Sequence, residues 1–364
     1  MQVLDLDTPA LVIDLDRVES NVMAMATLAR ERGVRLRPHT KTHKMPHIVR
    51  LQIDAGAAGL TCAKLGEAEV LVKAGFDDIL VAFPLLGQEK LARLEALRRE
   101  ARILVSLDSL EVASGLDVLG VRSGSPVEVY VEVDTGLHRM GTAPGDATVE
   151  LVTRLSDLAG IRIVGLLSHA GNAYGVTNPA ARSLLVDVEV SDLLSTQRRL
   201  IDLGIEIPEI SVGSTPTVRE EMTRPGVSEV RPGTYVFNDT TMLAHRVATP
   251  QNCAAHVVAT VVSRPTADRF VLDAGSKCLT SDGVGRPGWI QVDGRDDLTM
   301  EFVNEEHGVG RIDLSRDKPL RLGDKVLLIP SHVCPVVNLF DNAVATRGSL
   351  VVGNLEVTGR GRVR

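Results

Sequence analysis

Aromatic side chains are scarce in this chain: six Phe, three Tyr and one Trp among 364 residues. The core must therefore be aliphatic, built from Val, Leu, Ile and Ala, and little remains for stacking on nucleic-acid bases. Positive charge is also in deficit, with 40 Lys+Arg against 47 Asp+Glu and a formal net charge of −7. That balance lacks the basic footprint of a nucleic-acid binder, so no nucleic-acid partner is expected. No apolar run approaches the roughly 18 residues of a membrane span, which argues against a membrane partner. The N-terminal stretch MQVLDLDTPALVIDLD carries acids where a secretory signal needs positive charge, and the expected location is cytoplasmic. Cys62, Cys253, Cys278 and Cys334 are widely spaced and form no CxxC pair. In a reducing compartment each is core filler or a ligand.

What is present is a regular alternation. ALVID (10–14) precedes a helical pattern from Asp16 to Gly33. From Arg35 onward, eight strand-like runs alternate with amphipathic stretches, ending in EVRPGTYVF near 229–237. Alternation of this kind predicts parallel βα units, and eight of them suit a closed α/β barrel of roughly 250 residues. A doubly wound open sheet is the alternative. After about residue 245 long helical periods stop. Runs such as CAAHVVATVVSRP, RFVLDAG and KVLLIPSHVCPVV are linked by Gly, Asp and Pro, predicting a second, mostly β domain.

Several residues could carry chemistry. The run RPHTKTHK (37–44) packs three Lys/Arg and two His beyond the first barrel strand, where barrel enzymes place their active sites. Cationic neighbours depress a lysine pKa, so Lys41 is a candidate nucleophilic amine, although a solvated basic turn reads the same way. VGSTP (212–216) and RPGTY (231–235) follow the seventh and eighth runs, where barrels commonly bind phosphate. A lysine with a late-loop phosphate cup suggests pyridoxal 5'-phosphate (PLP). His169, after the sixth run, could be catalytic or a polar strand end. Arg139 could balance a bound anion or be a surface arginine. His332 and Cys334 lie in a strand-like stretch, at positions sharing one face, and suit a divalent metal. Glu306 and His307 are weaker candidates.

The opening LDTPALVIDLD and the run RPHTKTHK resemble the D-threonine aldolase and D-serine dehydratase family. SHAG, GSTP, RPGTYVF, LDAGSK, NEEHG and PSHVCPVVNLFD follow in that family's order. The resemblance implies a fold-type III PLP enzyme, similar to alanine racemase. Its (β/α)8 TIM-type barrel would span 19–245, and residues 1–18 plus 246–364 would form the β domain that carries the metal ligands. It implies Lys41 as the Schiff-base lysine and Arg139 near the cofactor's phenolic oxygen. Gly213, Ser214 and Thr215, with Gly233 and Tyr235, would bind the phosphate.

His332 and Cys334 match the family's pair for a divalent metal (Zn, Mn or Mg). Aldolases of the family resemble H-x-D there and eukaryotic-type dehydratases H-x-C. The implied reaction is retro-aldol cleavage of a D-β-hydroxy-α-amino acid, D-threonine above all, to glycine and an aldehyde, with His169 or a metal-bound water as the candidate base. The alternative is D-serine dehydration to pyruvate and ammonia. A reading of another class is a non-catalytic PLP-binding barrel, which predicts neither the second domain nor the metal pair. A head-to-tail homodimer is implied by the same resemblance.

Overall fold

The computed structural model describes residues 1–283, 288–316 and 318–364. The chain divides into two compact units. The β unit comprises Met1–Met23, Thr42–His47 and Thr234–Arg360, and the barrel unit comprises Ala24–Lys41, Ile48–Gly233 and Gly361–Arg364. Among the described residues, no helix is long and apolar enough to cross a membrane.

The first strand, β1 (Ala10–Asp14), lies in the β unit. The barrel unit holds the next eight: β2 (Arg35–Leu36), β3 (Leu60–Cys62), β4 (Asp78–Val81), β5 (Arg102–Leu107), β6 (Val127–Glu132), β7 (Ile161–Leu167), β8 (Glu209–Val212) and β9 (Glu229–Val230). Every neighbouring pair is parallel, in the order β2-β9-β8-β7-β6-β5-β4-β3. The seam between β2 and β3 closes through a parallel bridge of His39 with Thr61. Beside it Thr61 N donates to Pro38 O at 2.8 Å and Ala58 N to Leu36 O at 2.8 Å. The expected α/β barrel with a second, mostly β domain is the observed architecture. Parallel strands covered on both faces are buried along their length, and all six residues of β6 are buried. The eighth run is a strand only at Glu229–Val230, because Pro232 brings no N–H to a ladder and the chain then turns at Thr234–Val236.

Leu80, Leu104, Tyr130, Val164 and Leu167 form an apolar cluster. At the N-terminal strand ends an ion-pair chain runs around the barrel. Arg162 meets Glu128, which Arg102 grips at 2.6 Å, and Arg102 meets Asp78 at 2.8 Å. Asp78 also takes Arg37, whose Nε donates to Glu229 at 2.9 Å. Arg35 pairs with Glu209 and reaches Glu229 at 3.4 Å. Arg37 and Glu229 are buried, with side chains 4% and 0% exposed. A lone charge left there has no solvent to screen it.

In the β unit follow β10 (Ala255–Thr266), β11 (Arg269–Leu272), β12 (Gln291–Val292), β13 (Leu298–Val303), β14 (Gly308–Ile312), β15 (Lys325–Ile329), β16 (Asn342–Arg347) and β17 (Leu350–Glu356). Six of them form an antiparallel ring, β10-β11-β14-β13-β12-β15, closed because β10 pairs with both β11 and β15. β1 joins antiparallel to β10 and parallel to β16, and β17 follows β16. The stretch from Thr234 to His245 belongs to this unit, whereas the sequence places the boundary at 245. Ala254 N donates to Phe237 O at 2.7 Å, and Thr240 reaches Pro330 O through its N–H and Trp289 O through its hydroxyl.

Arg37→Met should destabilise the barrel by about 3–5 kcal/mol, the cost of stranding a buried charge. Denaturant unfolding checks this, and a loss within experimental error would show that the ion-pair chain holds nothing.

Candidate active site

The loop after β2 carries the basic run. Lys41 sits in the turn Thr40–Thr42, with its N–H aimed at His39 Nδ1 at 3.4 Å. Thr40 Oγ1 donates to Thr61 O at 3.0 Å and pins the turn to the barrel seam. Burial and the charges of Lys41 and Arg231 hold the His39 imidazole well below its usual pKa. His169, just beyond β7, is pushed down to about 3, first by burial and then by Lys41, against a bond to the Gly213 carbonyl. That bond, Nδ1 to Gly213 O at 2.8 Å, assigns the proton to Nδ1 and leaves a lone pair on Nε2. Arg139 is half-exposed and 3.5 Å from buried Glu132. Lys41, His169 and Arg139 therefore share one electrostatic neighbourhood, which Arg231 and His39 complete.

The GSTP turn follows β8. Gly213 has φ +144°, and a Cβ there would stand 2.6 Å from the Arg231 backbone N, so only glycine lets the two strand ends approach. Ser214 and Thr215 are buried although both are hydroxyl residues. Ser214 Oγ lies 2.6 Å from Thr217 Oγ1, and the four-residue helix Val218–Glu221 follows. Arg231 donates to Ser211 Oγ at 2.6 Å and to Ser168 O at 2.5 Å. Gly233 ends the barrel segment, and Tyr235 is buried in the turn Thr234–Val236 of the β unit.

The stretch holding His332 and Cys334 is not a strand. β15 ends at Ile329, His332 is an extended N-cap residue, and Val333–Leu339 is a helix. Pro335 is the reason: it interrupts a ladder but fits the first turn of a helix, whose N–H groups have no intrahelical partner. His332 Nδ1 lies 2.9 Å from Asp282 Oδ2. Burial opposes the imidazolium, but Cys334, Asp239 and Asp282 together outweigh it and raise the pKa to about 9. Cys334 Sγ is 3.3 Å from Thr42 Oγ1 and 3.8 Å from Thr234 Oγ1. Asp239 is buried and raised to about 6, while accepting bonds from Val333 N and Met242 N. Among the described residues no group of three or more His, Cys, Asp or Glu converges to hold a metal. Glu306 and His307 lie exposed between β13 and β14, with Glu306 paired to Lys277.

The structure adds His39, Arg231, Asp239 and Asp282, none of which stands out individually in the sequence. The first two stand inside the basic run and the RPGTY motif. Asp239 carries an N-cap signature before TTMLA. Nothing local marks Asp282.

Residues 13–241 match the alanine racemase N-terminal domain model, and residues 254–346 match the putative serine dehydratase domain model. The chain thus belongs to the alanine racemase-like, fold-type III family that includes the D-threonine aldolases and D-serine dehydratases. It is 34% identical to a D-threonine aldolase of Arthrobacter sp., over 98% of this chain and 93% of that one. It is 35% identical to the D-threo-3-hydroxyaspartate dehydratase of Delftia sp. (strain HT23), over 95% and 96% respectively. The crystal structure of D-threonine aldolase from Filomicrobium marinum superposes with a TM-score of 0.93 at 33% identity, covering 100% of this chain and 98% of that one. A cysteine-to-alanine variant of D-threo-3-hydroxyaspartate dehydratase, solved in a metal-free form, superposes at 0.86 with 31% identity and 98% coverage of each.

His169 is neutral when folded and has an ordinary pKa when unfolded. The unfolded chain therefore binds more protons between pH 6.5 and about 3, and stability falls as pH falls through that window. A His169→Gln variant should lose part of this acid sensitivity in denaturant titrations from pH 7 to 4. Parallel stability curves for the two proteins would contradict it.

Proposed function

We propose that the protein is a PLP- and divalent-metal-dependent lyase that cleaves D-threonine and related D-β-hydroxy-α-amino acids to glycine and an aldehyde. The observation that carries the reading is the surplus of positive charge around Lys41. Lys41, Arg139 and Arg231 together depress two half-buried imidazoles, an environment that a phosphorylated, anionic cofactor neutralises. The residues fit PLP. Lys41 Nζ is the amine that would hold it, and Ser214 and Thr215 offer buried hydroxyls beside a turn that only glycine can make. Gly233 is a further proposed partner of the phosphate group, and Arg139 is assigned to the cofactor's phenolic oxygen. When bound, PLP supplies an electron sink for bonds at the substrate Cα.

The donor chemistry at His332 and Cys334 also fits a metal. The Asp282 carboxylate at Nδ1 fixes the imidazole and leaves Nε2 for coordination. Two protein donors leave positions open for substrate and water, and a thiolate favours zinc over manganese or magnesium. The metal, when bound, supplies a Lewis acid for the substrate β-hydroxyl. His169 then has a defined task for this chain. Its Nδ1–H is held by the Gly213 carbonyl, and Nε2 accepts the hydroxyl proton as the Cα–Cβ bond breaks.

D-Serine dehydratase is the second reading, favoured by the H-x-C spacing of His332 and Cys334 and by the dehydratase-type match over 254–346. In that case Lys41 removes the Cα proton and the hydroxyl leaves. Incubation with D-threonine separates the two. Glycine with acetaldehyde is expected, whereas 2-oxobutanoate with ammonia, or faster turnover of D-serine to pyruvate, would overturn the aldolase assignment. Exhaustive chelation should abolish turnover while the PLP absorbance band persists. Full activity after chelation would remove the metal from the mechanism.

A further inference from the structure

Behind the GSTP turn lies a pair of carboxyl groups that the chemistry above does not use. Glu189, on the helix Pro179–Asp202, is 1% exposed, and Glu221, closing the helix Val218–Glu221, is 0% exposed. The two carboxyl groups lie close enough for each to act on the other. Glu189 Oε1 accepts a bond from Ser168 Oγ at 2.5 Å, and Glu221 Oε1 accepts one from Thr217 Oγ1. The remaining oxygen of each, Oε2, is buried with no donor. Ionised carboxylates only accept hydrogen bonds, so two of them cannot bond to each other. Two adjacent negative charges without water are also costly. One proton removes both difficulties, supplying the missing donor and leaving a single charge near the Arg231 guanidinium.

The pair reaches two loops of the candidate site. Through Thr217 it meets Ser214, whose Oγ is 2.6 Å from Thr217 Oγ1 and whose carbonyl accepts Val218 N at 3.0 Å. Through Ser168 it meets the end of β7, one residue before His169, where Ser168 O also receives Arg231. We propose that Glu189 and Glu221 share one proton and act as a positioning pair that holds the Ser214–Thr217 turn in its phosphate-binding arrangement. Burial pushes both carboxyls upward, Glu221 further because of Glu189, which agrees with a retained proton. The proposal rests on the reading that the GSTP turn takes the cofactor's phosphate.

Binding of PLP and of pyridoxal, which lacks the phosphate, to the apoprotein tests this directly. Glu221→Gln keeps a donor for Glu189 and an acceptor for Thr217, so its PLP affinity should stay within about twofold of wild type. Glu221→Leu breaks both links, and PLP affinity should fall about tenfold or more while pyridoxal affinity barely changes. Equal losses for both ligands, no loss, or a Gln variant as weak as the Leu variant would each overturn the positioning role. If the Leu variant fails to fold, Thr217→Val takes its place: a loss of PLP affinity alone supports the role, and equal losses or none overturn it.

Infrared difference spectra of wild type against Glu221→Gln should show the carbonyl stretch of a protonated carboxyl at neutral pH, and its absence would refute the shared proton. A wild-type protein that binds PLP no better than pyridoxal would instead refute the phosphate reading, and the positioning role with it. The infrared band would still decide the proton.

Discussion

The barrel depends on the Arg37 guanidinium. β2 has only two residues, and Arg37 follows it directly. Its side chain ties Glu229 at the start of β9 to Asp78 at the start of β4, passing Gly59 at the foot of β3. A Cβ at Gly59 would collide with that guanidinium, so the glycine and the arginine are one feature. A buried ion pair is a poor source of net stability but a demanding specifier of geometry, since each partner is costly without the other. Here the geometry specified is the path of the chain into Lys41.

The same charges connect the barrel's base to its candidate site. Glu229 accepts Ser211 Oγ at 2.7 Å, and Ser211 in turn accepts Arg231. Arg231 lies near Glu132 and Glu229 yet still helps to hold His39 and His169 neutral. Two neutral imidazoles beside a lysine and two arginines form a basin of positive potential with low proton affinity. Such a basin suits an anionic group and keeps Nε2 of His169 available as an acceptor. In the β unit the sign is reversed: Cys334, Asp239 and Asp282 stabilise a cation at His332.

Much of this is legible from residue order. Most of the barrel strands are largely apolar runs, and β6 and β7 are long enough to be unmistakable. The short closing elements are less so, because a two-residue strand is defined by its neighbours rather than by periodicity. β16 gives little strand signal, since NAVATR mixes polar and apolar residues without clean alternation, whereas LTMEFV of β13 alternates as far as Phe302 but stands among Asp-rich loop residues. VCPVV reads as a strand on β-branched content, and Pro335 is the signal that it opens a helix. The RPHTKTHK run and GSTP turn stand out through composition. Asp282 and the Glu189–Glu221 pair do not, because a carboxylate's neighbours are set by tertiary contact. On a 24-residue helix, Glu189 reads as an ordinary solvent-facing acid.

The proposed chemistry turns on Lys41 being the amine that holds the cofactor. Reduction of the PLP-loaded protein with borohydride, followed by peptide mass mapping, tests this assignment without relying on turnover. A single pyridoxyl-modified peptide is expected, with the label on Lys41. A label on another lysine, or none, would contradict it.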